Sequence, residues 1–298
     1  MNIYSCVDSN NIDKIIVLFN SCYQNASKKD KLKFYLLIDN EKDNIIIPSY
    51  LNLKIKVLDY EYLNNNGWIE INNNFSKNFY KQGGKCNHIM NFARFFIFHH
   101  FKDIETAIYL DWDMIVQDDI FNLEKYYQKC DKEDVFVVAN SLKWKDIGNN
   151  IIDGTKVQND YFKNKIINSK NYNFYKSKLK EVWSDVLIKC NDKLNNILDY
   201  ELNLNDKTFN AGFNIVNSNI FDLDKLKKLV INLIEIQKDK EWFRFGTQII
   251  MNLITDKKEF IDSKWNNSDY SSSIIHWSGP VKPWDDDNEI WSKYKILK

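Results

Sequence analysis

Apolar residues in this chain collect into short runs, most of which close on an acidic residue. Ile3–Val7 ends at Asp8, Phe34-Tyr35-Leu36-Leu37-Ile38 ends at Asp39, and the alternating Leu53–Leu58 ends at Asp59. Thr106–Leu110 runs straight into Asp111-Trp112-Asp113, and Val135–Ala139 and Phe209–Val216 have the same character. Segments that are apolar on nearly every residue predict strands buried on both faces, as in a parallel sheet covered by helices. Between them Ile12, Ile15, Ile16, Phe19, Cys22 and Tyr23 recur at helical spacing, with Ser9 and Asn10 placed to cap the start. Ile89, Phe92, Phe95, Phe96 and Phe101 predict a helix over Asn87–Phe101, and two more are predicted near Asp222–Gln237 and Gly246–Ile254. The expected class is α/β, with a mostly parallel central sheet. The stretch 141–207, rich in Lys and Asn, reads as an insertion with some helix, and periodicity assigns no element to the tail beyond Trp265.

Composition narrows the picture. With 298 residues, 44% hydrophobic and 15% aromatic, the chain can bury a large core. Only 8 Gly and 3 Pro leave little material for linkers, and no internal repeat is visible, so one domain over 1–298 is expected. Lys+Arg and Asp+Glu are both 41, a balance that argues against a nucleic-acid binder but allows a local basic patch at a phosphate. The five cysteines are dispersed and none forms a C-x-x-C pair, which suggests neither a zinc knuckle nor a disulfide framework. There is no signal-peptide pattern and no run of about 20 apolar residues, so the expectation is a cytoplasmic protein without a membrane span.

Three constellations carry candidate chemistry. Asp111-Trp112-Asp113 follows a strand; a side-chain period of two points both carboxylates one way and Trp112 the other. At the carboxyl end of a parallel strand such a pair can hold a divalent cation that bridges to a pyrophosphate. The bland alternative is a solvated strand end. The second is Ile275-His276-Trp277-Ser278-Gly279-Pro280-Val281-Lys282-Pro283-Trp284. His276 is a candidate ligand, Gly279 lets backbone approach a phosphate, and Lys282 can neutralise it. A lone His beside aromatics is more often structural, yet two of the three prolines and two tryptophans flank this one Lys. The third is Phe209-Asn210-Ala211-Gly212-Phe213-Asn214-Ile215-Val216-Asn217, where Ala and Gly admit a close neighbour and Asn210 can bond a sugar hydroxyl; a core strand with a bulge is the alternative.

In this order the motifs resemble glycosyltransferase family 8, from Ile3 to Trp284, most specifically in His-x-x-Gly-x-x-Lys-Pro-Trp. The resemblance implies a GT-A type, Rossmann-like domain with a closing segment at about 273–284. It implies Asp111, Asp113 and His276 as ligands of Mn²⁺, with Mg²⁺ less suited to a site containing imidazole. Gly279 and Lys282 would lie at the UDP diphosphate, Val7 and Asp8 at the uracil, and Arg94 behind the nucleotide and donor sugar. Trp112 lies between the metal carboxylates, Asn210 and Ala211 match donor-sugar contacts, and Gln248 faces the sugar's reactive side. The activity implied is retaining transfer of a hexose, from UDP-glucose or UDP-galactose, to a hydroxyl of a glycan, lipid-linked sugar or protein. Gln248 and Lys282 serve catalysis in that picture, Gln248 by positioning; a homodimer is compatible with it.

Two residues depart from the family pattern. Thr247 replaces an Asp that contacts donor hydroxyls, and Trp112 is bulkier than usual, either altering the pocket floor or packing back into the core. Thr247 favours a rival reading, a weak or inactive sugar-nucleotide-binding protein, which the intact Asp111, Asp113, His276 and Lys282 oppose. A nucleotidyltransferase ranks last, since Ser5–Ile12 lacks the glycines of a phosphate loop.

Overall fold

The structure is a computed structural model that describes residues 1–42, 45–79, 89–130, 135–143, 198, 203, 206–237, 247–255, 257–278, 281–285 and 288–296. Nine strands are described: β1 (Asn2–Val7), β2 (Lys33–Ile38), β3 (Leu53–Val57), β4 (Thr106–Leu110), β5 (Met114–Val116), β6 (Val135–Lys143), β7 (Lys207–Asn217), β8 (Lys258–Ile261) and β9 (Ile274–His276). Seven form one sheet in the order β3-β2-β1-β4-β7-β6-β8, and β5 pairs with β9 separately. Within the large sheet β7 alone runs antiparallel to its neighbours β4 and β6; the remaining pairings are parallel. The mostly parallel α/β sheet expected from the runs is what forms.

Alternate residues of each central strand feed two cores. Tyr4, Cys6, Tyr35, Leu37, Ala107 and Tyr109 face one side, where Trp68–Phe79, Leu223–Gln237 and Thr247–Ile254 lie. Ile3, Val7, Phe34, Leu36, Ile38, Ile108 and Leu110 face the other, against the helix Ile12–Asn25. Both faces are therefore covered, which is why these strands carry apolar residues at nearly every position. The exception is β3 at the sheet edge, whose Lys54 and Lys56 are exposed, a charge pattern that discourages edge-to-edge pairing.

β7 changes face along its length. Phe209 and Ala211 belong to the first core, Phe213 and Ile215 to the second. The register with β6 shifts at the same place, between Val137 and Ala139, whereas pairing with β4 stays regular up to Leu110↔Phe213. Such a bulge bends a strand and re-aims its side chains; here it turns Asn210–Gly212 toward the end of β4.

Several local expectations change. Ser9 and Asn10 do not cap the first helix; they form a 3-10 turn, Ser9–Asn11, that leads into it, with no side-chain cap bond. The helix expected over 87–101 has its first residues, 87–88, outside the described ones; it is helical from Met90 and interrupted by a 3-10 turn, Arg94–Phe96. The tail beyond Trp265 contains β9 and the helix Glu289–Lys293, capped by Asn288 accepting from Ile290 N and Trp291 N. Trp291 and Tyr294 are buried there, and Asn20 Nδ2 donates to Tyr294 O at 2.8 Å. Most of the expected insertion lies outside the described residues, its ends belonging to β6 and β7. Among the described residues, no helix is long and apolar enough to cross a membrane.

Candidate active site

The chain leaves the sheet at Leu110. Asp111 N still donates to Gly212 O across the β4–β7 ladder at 2.9 Å, after which residues 111–113 turn and Met114 opens β5. The two carboxylates therefore converge through a turn, not through the strand period expected from sequence. Met114 pairs with His276 in the β5–β9 ladder, and Trp277 N donates to Asp113 O at 3.0 Å. These bonds bring His276 Nε2 to 4.0 Å from Asp111 Oδ2 and 3.4 Å from Asp113 Oδ1. One ligand atom from each of the three residues lies within 4.8 Å of the others.

Each carboxylate has its own support. Asp111 Oδ1 accepts from Tyr109 OH at 2.5 Å and from Arg94 Nη2 at 3.3 Å. Arg94 is buried, its guanidinium 4.4 Å from the Tyr109 ring centroid, and its Nη1 donates to Ala211 O at 2.9 Å. Burial opposes its charge, but the electrostatic influence of Tyr109 and Asp111 outweighs burial and raises its pKa further. Asp113 is 5% exposed. Burial pushes its carboxyl upward, and His276, when its ring carries a charge, together with Lys282 overcomes that and holds it below the usual range. Lys282 Nζ donates to Asp113 Oδ2 at 2.5 Å and to Trp277 O at 2.6 Å.

Asp113 Oδ1 is buried without a hydrogen-bond partner among the described residues. A buried anionic acceptor in that condition is costly, and it faces the imidazole nitrogen and the second carboxylate. Gly212 closes the cradle: a Cβ there would meet His276 Cε1 at 2.5 Å, Asn210 Oδ1 at 2.8 Å and Asp111 Oδ2 at 2.9 Å. Two carboxylates, one of them with an unpartnered oxygen, and one imidazole fit a divalent cation.

The remaining candidates surround this cluster in part. Asn210 Oδ1 accepts from Gly212 N at 2.8 Å and from Asn266 Nδ2 at 3.3 Å. Gln248 Oε1 accepts from Ala211 N at 3.3 Å, so Gln248 is tied to the β7 backbone, and Thr247 beside it is buried at the start of its helix. Val7 ends β1, the strand next to β4, and Asp8 follows, with its Oδ2 accepting from Asn11 Nδ2 at 2.6 Å. Trp112 is half-buried and packs against the second core. Its ring lies tilted by 30° to that of Trp284, centroids 4.8 Å apart, with Lys14 Nζ 5.6 Å and 5.2 Å from the two rings. Gly279 lies outside the described residues.

Sequence reasoning missed Tyr109 and Asn266. Tyr109 was detectable, since it lies on β4 only two residues before Asp111, close enough for its hydroxyl to reach that carboxylate. Asn266 had no local signal; only the fold brings it to His276, whose Nδ1 lies 2.7 Å from Asn266 Oδ1.

The model of glycosyl transferase family 8 matches residues 2–288. No curated protein matches the chain by sequence. Among solved structures, the galactosyltransferase LgtC in complex with donor and acceptor sugar analogs superposes with a TM-score of 0.61 at 14% identity, covering 100% of this chain and 98% of that one. The bifunctional glycosyltransferase WbbM gives 0.56 at 15% identity, covering 100% of this chain and 50% of its own. Glycosyltransferase GlyE of Streptococcus pneumoniae TIGR4 gives 0.51 at 16%, covering 100% and 60%. At such identities the likeness concerns the GT-A fold alone. The family assignment rests instead on the near-complete sequence match: this chain belongs to glycosyltransferase family 8 and is a glycosyltransferase.

Proposed function

We propose that this enzyme moves a hexose from a UDP-sugar to an acceptor hydroxyl with retention of anomeric configuration, and that Mn²⁺ is its metal. The observation that carries the metal part is the convergence of Asp111, Asp113 and His276 around an unpartnered buried carboxylate oxygen. UDP, retention and a glucose or galactose donor are supported by family membership, and the galactosyltransferase LgtC is the like-folded example.

In this reading Asp111, Asp113 and His276 hold the cation, which when bound neutralises the diphosphate and the charge released on the departing nucleotide. The mixed oxygen and nitrogen donor set suits Mn²⁺ better than Mg²⁺. Arg94 and Tyr109 fix Asp111 from behind, leaving Oδ2 toward the site. Lys282 supplies a further positive charge to the leaving diphosphate, with Gly279 allowing close approach, an electrostatic form of catalysis. Asn210 and Ala211 lie at the donor sugar, Val7 and Asp8 at the base, and Trp112 borders the pocket. Gln248 is too weak a base to deprotonate an acceptor. Its bond to Ala211 suits a positioning role. The acceptor, a glycan, lipid-linked sugar or protein hydroxyl, would be read by the 141–207 insertion, with 273–284 closing over the nucleotide.

Thr247 favours a second reading, a sugar-nucleotide-binding protein with weak or absent transfer. Mn²⁺-dependent release of UDP from a panel of UDP-sugars separates the two, with Asp111→Asn and Asp113→Asn as controls. Turnover that requires Mn²⁺ and is lost in both variants supports transfer. Tight UDP binding without turnover supports the second reading, and variants with wild-type turnover at limiting metal refute the metal site.

A further inference from the structure

Whether His276 can ligate a cation depends on which ring nitrogen carries the proton. Its Nδ1 lies 2.7 Å from Asn266 Oδ1 and its Nε2 faces Asp111 and Asp113. The orientation of an amide follows from its partners, and here the partners form a chain. Gly212 N–H can only donate, and it does so to Asn210 Oδ1 at 2.8 Å. That oxygen also lies 3.3 Å from the other end of Asn266, which must therefore present its NH₂ group there. The Asn266 carbonyl is then left for His276, so Nδ1 must donate to it.

We infer that Asn266 is a positioning residue, unmarked by any sequence motif, that fixes His276 with its proton on Nδ1 and its Nε2 lone pair toward the carboxylates. The inference rests on the metal reading of the site. An independent observation agrees with it. Asp113 Oδ1 has no hydrogen-bond partner among the described residues although Nε2 is 3.4 Å away. Two acceptors facing each other across that distance call for a cation between them, and partners on the far nitrogen of a ligating His characteristically set its tautomer and raise its basicity.

The local fold holds both side chains in place. Trp265 is buried at the end of the 3-10 turn Ser263–Trp265, and Asn266 N donates to Ser263 O at 3.2 Å. His276 N donates to Asn267 O at 2.8 Å, so residues 266–267 run alongside β9. Asn266 thereby ties the metal histidine to the β7 bulge carrying Asn210 and Gly212.

The test reads the tautomer directly, without metal or substrate. The chain has 4 histidines, few enough for long-range ¹H–¹⁵N correlation of ¹⁵N-His protein under alkaline conditions, with the His276 signals assigned by their loss in His276→Gln. His100 is an internal reference, since its Nδ1 meets Phe96 O at 2.9 Å and its Nε2 accepts from Asp59 N at 2.9 Å. A His276 ring protonated on Nδ1 is expected; a neutral ring protonated on Nε2 overturns the inference. Nucleotide-free Mn²⁺ titration followed by electron paramagnetic resonance gives the second readout. Asn266→Leu should weaken binding roughly 10- to 100-fold, and Asn266→Asp, which keeps an acceptor at Nδ1, should recover most of it. Unchanged affinity in Asn266→Leu refutes the role of Asn266, whereas a wild-type protein that binds no divalent cation refutes the metal reading itself. Should Asn266→Leu fail to fold, the wild-type tautomer and Asn266→Asp still decide.

Discussion

Replacing Gly212 by Ala puts one methyl group where three site atoms meet. The backbone is not the obstacle, because among the described glycines only Gly67 has a positive φ. The contacts are: a Cβ at Gly212 would lie 2.5 Å from His276 Cε1, 2.8 Å from Asn210 Oδ1 and 2.9 Å from Asp111 Oδ2. Carbon–carbon contacts settle at about 3.5 Å, so the imidazole must retreat by roughly 1 Å, and the two oxygens by several tenths. None of the three moves freely. Asp111 is held by Tyr109 and Arg94, His276 by Asn266, and Asn210 by Gly212 N–H. Metal–ligand distances tolerate only about 0.2 Å, so the displacement exceeds what a cation site absorbs. Overpacking of this kind costs about 1–3 kcal/mol of stability, leaving a folded protein whose melting temperature is lowered by a few degrees. Altering an outer-shell partner alone costs roughly 10- to 100-fold in metal affinity, so displacing two ligands should cost at least about 100-fold. Mn²⁺ titration without nucleotide, beside metal-free thermal unfolding, measures both. A Gly212→Ala protein with wild-type metal affinity and melting temperature would show that the cradle is not as tight as the contacts imply.

Lys282→Ala should lower turnover by about 10²–10³-fold, the usual loss for one electrostatic donor, yet leave nucleotide-free Mn²⁺ affinity undiminished, because the ammonium occupies Asp113 Oδ2; a parallel fall in both would contradict that division. Thr247→Asp should sharpen discrimination among UDP-glucose, UDP-galactose, UDP-N-acetylglucosamine and UDP-xylose, since a carboxylate binds paired hydroxyls more strongly than a lone hydroxyl does, and an unchanged donor ranking would show that the position does not read the sugar. Burial, only partly offset by the bond to Phe96 O, holds the His100 imidazole below its ordinary value, and protonating Nε2 would set a donor against Asp59 N–H. As pH falls below the unfolded-state value of about 6.5, the unfolded chain takes up this proton first, so the stability present above that value is progressively lost toward the depressed folded value. The melting temperature should therefore drop between about pH 7.5 and pH 5.5, less steeply in His100→Gln; equal slopes would exclude His100 as the source.

Sheet strands were legible where both faces are buried, because β1, β2, β4 and β6 then carry apolar residues at consecutive positions. β8 escaped detection since it is an edge strand, with Glu259 and Phe260 exposed. β9 escaped for another reason: Ile-Ile-His is too short to show a period, and its conformation comes from pairing with β5. The carboxylate pair was visible, but the turn that makes it converge was not, since the strand ends at Leu110 and the pair lies beyond it. Arg94 entered through family resemblance, and its bonds to Asp111 and Ala211 give that placement a physical basis. Asn266 shows the limit of local reading, since its partner is ten residues away across a turn and its orientation depends on a third strand.

The β5–β9 ladder has a consequence for the history of each molecule. Met114 and His276 are neighbours in space but lie far apart in the chain, and contacts of that kind form late because a large loop must close first. The same ladder brings His276 to the carboxylates, so a nascent chain holds Asp111 and Asp113 near one another long before the third ligand is synthesised. A cation bridging the three residues would then act as a clasp on this loop, adding stability in proportion to the logarithm of its concentration. In the cell, the lifetime of β9 against local opening would then follow the supply of metal and nucleotide, longest in enzyme that has bound both.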